Sequence, residues 1–259
     1  VIVVASISCI YGLSNPKDFK ELTLQLEVGN SMGRRKIITE LVQMQYERST
    51  SSLEHGQFRA TGGVIDIWPP YQEEIIRLEL FGDEIDMMSR RHPVTGDSIQ
   101  ELKSVALFPA KQFVAPEEKQ QKAIQAIKEE AGEWLPQLPE LERQRCEKRI
   151  NYDIEMMEEV GYCSGIENYS RHFDGREPGV PPYTLLDYFP EDFLLILDES
   201  HQTLPQSRGM YKGDHSRKKN LVEHGFRLPC AYDNRPLKFE EFEEYFNNTL
   251  FVSATPGPY

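Results

Sequence analysis

Asp198 and Glu199 close a short apolar run, Phe193-Leu194-Leu195-Ile196-Leu197, and are followed by Ser200 and His201. A hydrophobic strand that ends in two acids sets carboxylates at the C-terminal edge of a sheet, where open α/β folds bind ligands. The first acid suits the oxygen shell of a phosphate-bound Mg²⁺. The second suits the orientation or activation of water in phosphoryl transfer. Asp198 and Glu199 are therefore candidate catalytic residues, with Asp198 the candidate contact to Mg through a nucleotide. A strand end capped by solvated acids is the plainer alternative.

A second short strand, Leu250-Phe251-Val252, runs into Ser253-Ala254-Thr255. Asp-Glu-x-His followed by Ser-Ala-Thr is the order of motifs II and III in superfamily 2 helicases. There the hydroxyl loop links the nucleotide site to movement on nucleic acid. No Gly-x-x-x-x-Gly-Lys-[Ser/Thr] occurs in the chain. Lacking that phosphate cradle, the chain alone is expected to be inactive as an ATPase.

Two further stretches carry polar chemistry. Cys163-Ser164-Gly165-Ile166-Glu167-Asn168-Tyr169-Ser170-Arg171 is dense in side chains able to reach bases, sugars or phosphates. Its alternative is a polar loop with a helix cap at Ser164. Residues 207–227 hold Arg208, Lys212, Arg217, Lys218, Lys219 and Arg227 against Asp214 and Glu223. They could meet phosphates, or form a solvated helix face.

These residues need elements to hold them. Val1 to Tyr11 reads as a buried strand already under way, followed by a loop through Pro16, so the chain reads as a segment of a longer protein. Residues 33–47 read as a helix, with Ile37, Leu41 and Met44 on one face. Phe58 to Trp68, Ile75 to Phe81, Glu84 to Met88 and Val105 to Phe108 read as strands, with turns at Gly82-Asp83 and Gly96-Asp97. Residues 116–135 and 139–160 return to helix. Cys146, Ile150, Ile154, Met157 and Val160 make one stripe on the second. Phe193–Leu197 reads as a parallel strand covered on both faces.

Composition bounds the rest. The 259 residues carry a formal net charge of -13, which excludes a protein that holds DNA through a uniformly basic coat. No apolar run is long enough for a membrane helix, and no signal peptide is legible, so a cytoplasmic location is expected. The four cysteines, Cys9, Cys146, Cys163 and Cys230, lack zinc-type spacing and read as reduced thiols.

Taken together, these residues resemble the UvrB family, the damage-verifying subunits of bacterial nucleotide excision repair. The resemblance runs the whole length. It includes Val4 to Gly12, Asp153-Ile154-Glu155-Met156-Met157, the run from Tyr162 to Arg171, and Tyr183 to Tyr188. It continues through Asp198 to His201, Gly225-Phe226-Arg227-Leu228-Pro229, Asp233 to Pro236 and Val252 to Gly257.

The resemblance implies an α/β fold: part of a RecA-like superfamily 2 helicase domain with an inserted small α+β domain and a helical insertion. Residues 1–14 and 184–259 would belong to the first RecA-like domain, 15–110 to an inserted domain that docks on UvrA, and 111–183 to a helical insertion along the DNA path. It implies ATP and Mg as cofactors, and UvrA, UvrC and damaged, locally opened double-stranded DNA as partners. It also implies an enzyme, as a helicase-like ATPase, in the longer protein. Ser253 and Thr255 match the coupling loop. Ser8, Tyr11, Glu167, Phe226 and Arg227 match motifs along the DNA path. Arg48, Arg59, Arg77 and Glu79 match the UvrA-docking surface. Thr61 departs from the family pattern Phe-Arg-x-Arg-Gly, and His215 stands where an Arg is commoner.

The competing readings are a non-catalytic UvrA-docking adaptor, as in transcription-repair coupling factors, and another superfamily 2 helicase. The intact acid pair argues against the first. The Cys163 to Arg171 run argues against the second.

Overall fold

The structure, a computed structural model, describes residues 1–257. The chain divides into two units, Lys17–Pro116 and a second made of Val1–Pro16 with residues from Glu117 onward. A short helix α1 (Pro16–Glu21), strand β1 (Leu24–Glu27) and helix α2 (Arg34–Gln43) come first. Six strands then form one sheet in chain order: β2 (Glu47–Arg48), β3 (Gln57–Thr61), β4 (Val64–Trp68), β5 (Ile75–Phe81), β6 (Glu84–Arg91) and β7 (Ser98–Leu102). β8 (Ser104–Leu107) returns to pair antiparallel with β1.

Two periodicities make this core. Ile37, Leu41 and Met44, four and three residues apart, bury one face of the α2 segment against Phe58, Ile65, Ile67, Ile76 and Leu78. Along β5, Ile76 and Leu78 are buried, which leaves Arg77 and Glu79 for the opposite face. Phe58 to Trp68 is a hairpin rather than one strand. Gly62 takes a φ of +59° at its turn, and a Cβ on Gly63 would fall 2.8 Å from the Leu80 carbonyl oxygen. β7 escapes a hydrophobicity pattern because it is an exposed, mostly polar edge.

The other unit opens with an irregular stretch. No strand forms over residues 1–11: residues 1–6 have no regular structure, and Ile7–Ile10 is a single 3₁₀ turn. A strand needs a hydrogen-bonded neighbour, and among the described residues none pairs with this segment. Only Ile10 is buried, with Leu237 N–H donating to its carbonyl at 3.0 Å.

Helix α3 (Glu117–Trp134) carries Glu117 and Glu118 in its first turn, where the helix dipole favours acids. Helix α4 (Glu140–Val160) ends at Gly161, in the left-handed region at φ 74°. Its apolar stripe stops at Met157. Val160, expected within it, is exposed because the helix ends there. A short α5 (Ser170–Asp174) packs on α3.

Strand β9 (Leu195–Leu197), helix α6 (Ser200–Glu223), helix α7 (Phe239–Glu243) and strand β10 (Thr249–Phe251) complete the unit. β9 and β10 pair in parallel. Leu197 is buried with Ile10, Leu186, Leu204, Leu237 and Phe242, but Ile196 and Leu250 are exposed. The pair is thus covered on one face, not two. The molecule is mixed α/β, and no helix among the described residues is long and apolar enough to cross a membrane.

Candidate functional site

The end of β9 and the end of β10 meet through the backbone. Val252 N–H donates to Leu197 O at 2.9 Å, and Ser200 N–H to Val252 O at 2.9 Å. This brings two sequence motifs together. The Ser253 hydroxyl lies 2.8 Å from His201 Nδ1, and the same nitrogen lies 3.3 Å from Glu199 Oε2. Thr255 N–H donates to Ser253 Oγ at 3.1 Å. His201 therefore bridges the acid pair and the hydroxyl loop, a role its presence in the motif did not reveal.

The acid pair is held open to solvent. Asp198 is exposed, and its Oδ1 accepts the Glu199 N–H at 2.9 Å. The Thr203 hydroxyl donates to the Asp198 carbonyl at 2.9 Å. Glu199 precedes α6 with φ 45° and ψ 48°, a left-handed conformation that a residue with a Cβ adopts at a cost. Two exposed carboxylates on one strand end are a hard-oxygen donor set of the kind Mg²⁺ takes.

The proposed strand contacts fall around α6. Tyr11 lies beside Asp214 and Arg217, and burial together with the charge of Asp214 raises its phenol above the usual range. Ser8 is exposed on the 3₁₀ turn before it. Phe226 and Arg227 follow the C-terminal end of α6, where both of their N–H groups donate to Leu221 O. A Cβ on Gly165 would fall 3.7 Å from Arg227 Nη2 and 3.9 Å from Arg149 Nη2, so the turn before Glu167 adjoins this corner. The Cys163 thiol senses the same charges and is pushed up to about 12, chiefly by burial.

The basic stretch is less available than its composition promises. Lys218 is buried, pairs with Asp214 at 2.7 Å and donates to the Asn234 carbonyl. Burial pulls its ammonium below the usual lysine range against the opposing charge of Asp214. His215 stacks on Tyr232 with centroids 5.0 Å apart.

Glu130, His172 and Cys230 place one ligand atom each within 4.8 Å of one another. Their positive charge is already supplied, because Arg171 pairs with Glu130 at 3.1 Å and with Asp233 at 2.9 Å. Burial holds the Cys230 thiol well above its ordinary value, which disfavours the thiolate that a metal requires. The cluster reads as a buried ion network joining α3, α5 and the 3₁₀ turn Pro229–Asp233.

On the sheet, Arg59, Asp66 and Arg77 are cross-strand neighbours. Buried Asp66 accepts from Arg59 at 3.0 Å and from Arg77 at 2.7 Å. These two arginines outweigh the effect of burial and hold the Asp66 carboxyl below the usual range. Glu79 pairs with Arg91 at 3.4 Å. Arg48 stands apart: its register partner is Phe58, which belongs to the core. Asp66, unmarked by sequence reasoning, organises the row, and its position between apolar Ile65 and Ile67 was the available signal.

Residues 24–113 match the model of the UvrB interaction domain, and residues 118–175 match that of the UvrB third helical domain. Together the two matches cover more than half of the chain. UvrABC system protein B of Methanococcus maripaludis is 57% identical over 259 residues, covering 100% of this chain. The chain belongs to the UvrB family. The Methanosarcina acetivorans protein of the same name is also 57% identical over the whole chain, and that of Mycobacterium tuberculosis is 54% identical over 263 aligned residues. The chain spans 40%, 39% and 37% of the length of these three relatives. The interaction-domain match falls within the unit Lys17–Pro116, and the third-helical-domain match takes in α3, α4 and α5.

Proposed function

We propose that this chain serves bacterial-type nucleotide excision repair as part of a UvrB subunit. In this reading, the unit Lys17–Pro116 docks on UvrA through the Arg59, Arg77 and Glu79 face, with Arg48 at its edge. Ser8, Tyr11, Glu167, Phe226 and Arg227 line the path of one strand of damaged, locally opened DNA. The β9 and β10 ends form part of the ATPase centre of a RecA-like domain, and UvrC acts on the resulting complex.

The observation that carries the reading is the Ser253–His201 hydrogen bond beside Glu199. It ties the hydroxyl loop to the acid pair, so a change at one is felt at the other. Asp198 would hold Mg²⁺ through its exposed carboxylate. Glu199 would orient the attacking water and accept its proton. When bound, Mg-ATP supplies the phosphoryl group whose transfer to water drives the change in DNA grip. Ser253 and Thr255 would pass the state of that site to the strand path.

In the complete protein, Glu199→Gln is expected to lower ATP turnover by about 100-fold or more while nucleotide binding persists. Normal turnover in that variant would overturn the role given to Glu199.

A further inference from the structure

The corner that holds Phe226 contains a second guanidinium that sequence motifs do not mark. Arg145, on α4, sits with its Cζ 4.5 Å from the centroid of the Phe226 ring. Its Nη1 donates to the His224 carbonyl at 2.7 Å. The approach is fixed by Gly225: φ is +67°, and a Cβ there would fall 2.2 Å from Glu142 O, so only glycine lets α4 come this close. Phe226 nevertheless remains 46% exposed.

The charges around the ring are unbalanced. Arg149, one turn along α4, is neutralised by Asp153 at 2.9 Å. Among the described residues, neither Arg145 nor Arg227 has a carboxylate partner, although the chain carries a net charge of -13. Arg145 thus covers one face of an exposed aromatic ring, and Arg227 donates through Nη1 to the backbone carbonyl of the same Phe226 at 3.0 Å. A cation on one face and open surface elsewhere suit a stacked base whose phosphate lies near the positive charge.

We propose that Arg145 is a positioning residue for single-stranded nucleic acid: it braces one face of Phe226 and supplies charge to the same nucleotide. This rests on the strand path assigned to Phe226 above. The test uses the complete protein and a single-stranded oligonucleotide carrying 2-aminopurine. Arg145→Ala is expected to weaken binding by about tenfold and to reduce the stacking quench. Arg145→Gln, which keeps a donor for the His224 carbonyl but no charge, should bind as weakly as Arg145→Ala and show a smaller salt slope. Combined with Phe226→Ala, either change should add less than it does alone.

Parent-like affinity and quench in Arg145→Gln, with Phe226→Ala still weak, would overturn the role of Arg145 and leave the strand path standing. Parent-like binding in Phe226→Ala as well would overturn both.

Discussion

At the scale of single residues, the buried charges of the second unit are held in pairs. Glu130 accepts from Cys230 N–H at 2.7 Å and faces both Arg171 and His172. Burial alone would raise its carboxyl, but His172 and Arg171 outweigh burial and leave it below the ordinary glutamate range. A depressed folded value means the stabilisation is fully present above the unfolded value, near 4.5, and is lost as pH falls through the folded one. Glu130→Gln should therefore cost about 3 kcal/mol at neutral pH, read by urea unfolding, and flatten the acid limb of the stability profile. An unchanged acid limb would show that the network does not titrate with folding. Glu199 makes a different prediction. Because its φ is 45°, Glu199→Gly should be more stable than Glu199→Ala by about 1 kcal/mol in thermal unfolding.

At the scale of elements, the junction of α4 with the turn after α6 depends on a missing side chain. Gly225→Ala must move the Glu142 backbone or the turn, and should destabilise the unit by about 2 kcal/mol or more in thermal unfolding. Helices α2, α3 and α4 were legible because their apolar residues repeat at helical spacing and end at clear signals, Gly161 among them. The strand expected over residues 1–11 was not, because apolar residues without a pairing partner do not make a ladder. The β3–β4 hairpin had a signal in Gly62-Gly63, a two-residue turn between strand-like stretches that a single-strand reading of Phe58 to Trp68 passes over. Of the candidate site, Asp198, Glu199 and Ser253 were legible as motifs. The bridging place of His201 and the cation on Phe226 were not, since both come from residues far apart in the chain. On the sheet, Thr61 is exposed at the end of β3, the position at which it departs from the Phe-Arg-x-Arg-Gly pattern that the resemblance implies. Thr61→Arg should strengthen UvrA capture by the complete protein about threefold, as an added interface cation does. No change would remove the hairpin from the docking face.

At the scale of the molecule, two units carry separable chemistry. The sheet unit presents an ion-paired Arg-Asp-Arg row suited to a polar protein interface. The other unit holds the acid pair, the hydroxyl loop and the aromatic-cationic corner at Phe226. In the proposed division of labour the first unit grips UvrA and the second grips DNA. This division is tested most directly by measuring UvrA affinity and oligonucleotide affinity side by side for Arg59→Ala and Phe226→Ala in the complete protein. Arg59→Ala should weaken UvrA binding by about tenfold and change DNA binding by less than about twofold. Phe226→Ala should do the reverse. Equal losses of both affinities in either variant would contradict the division of labour.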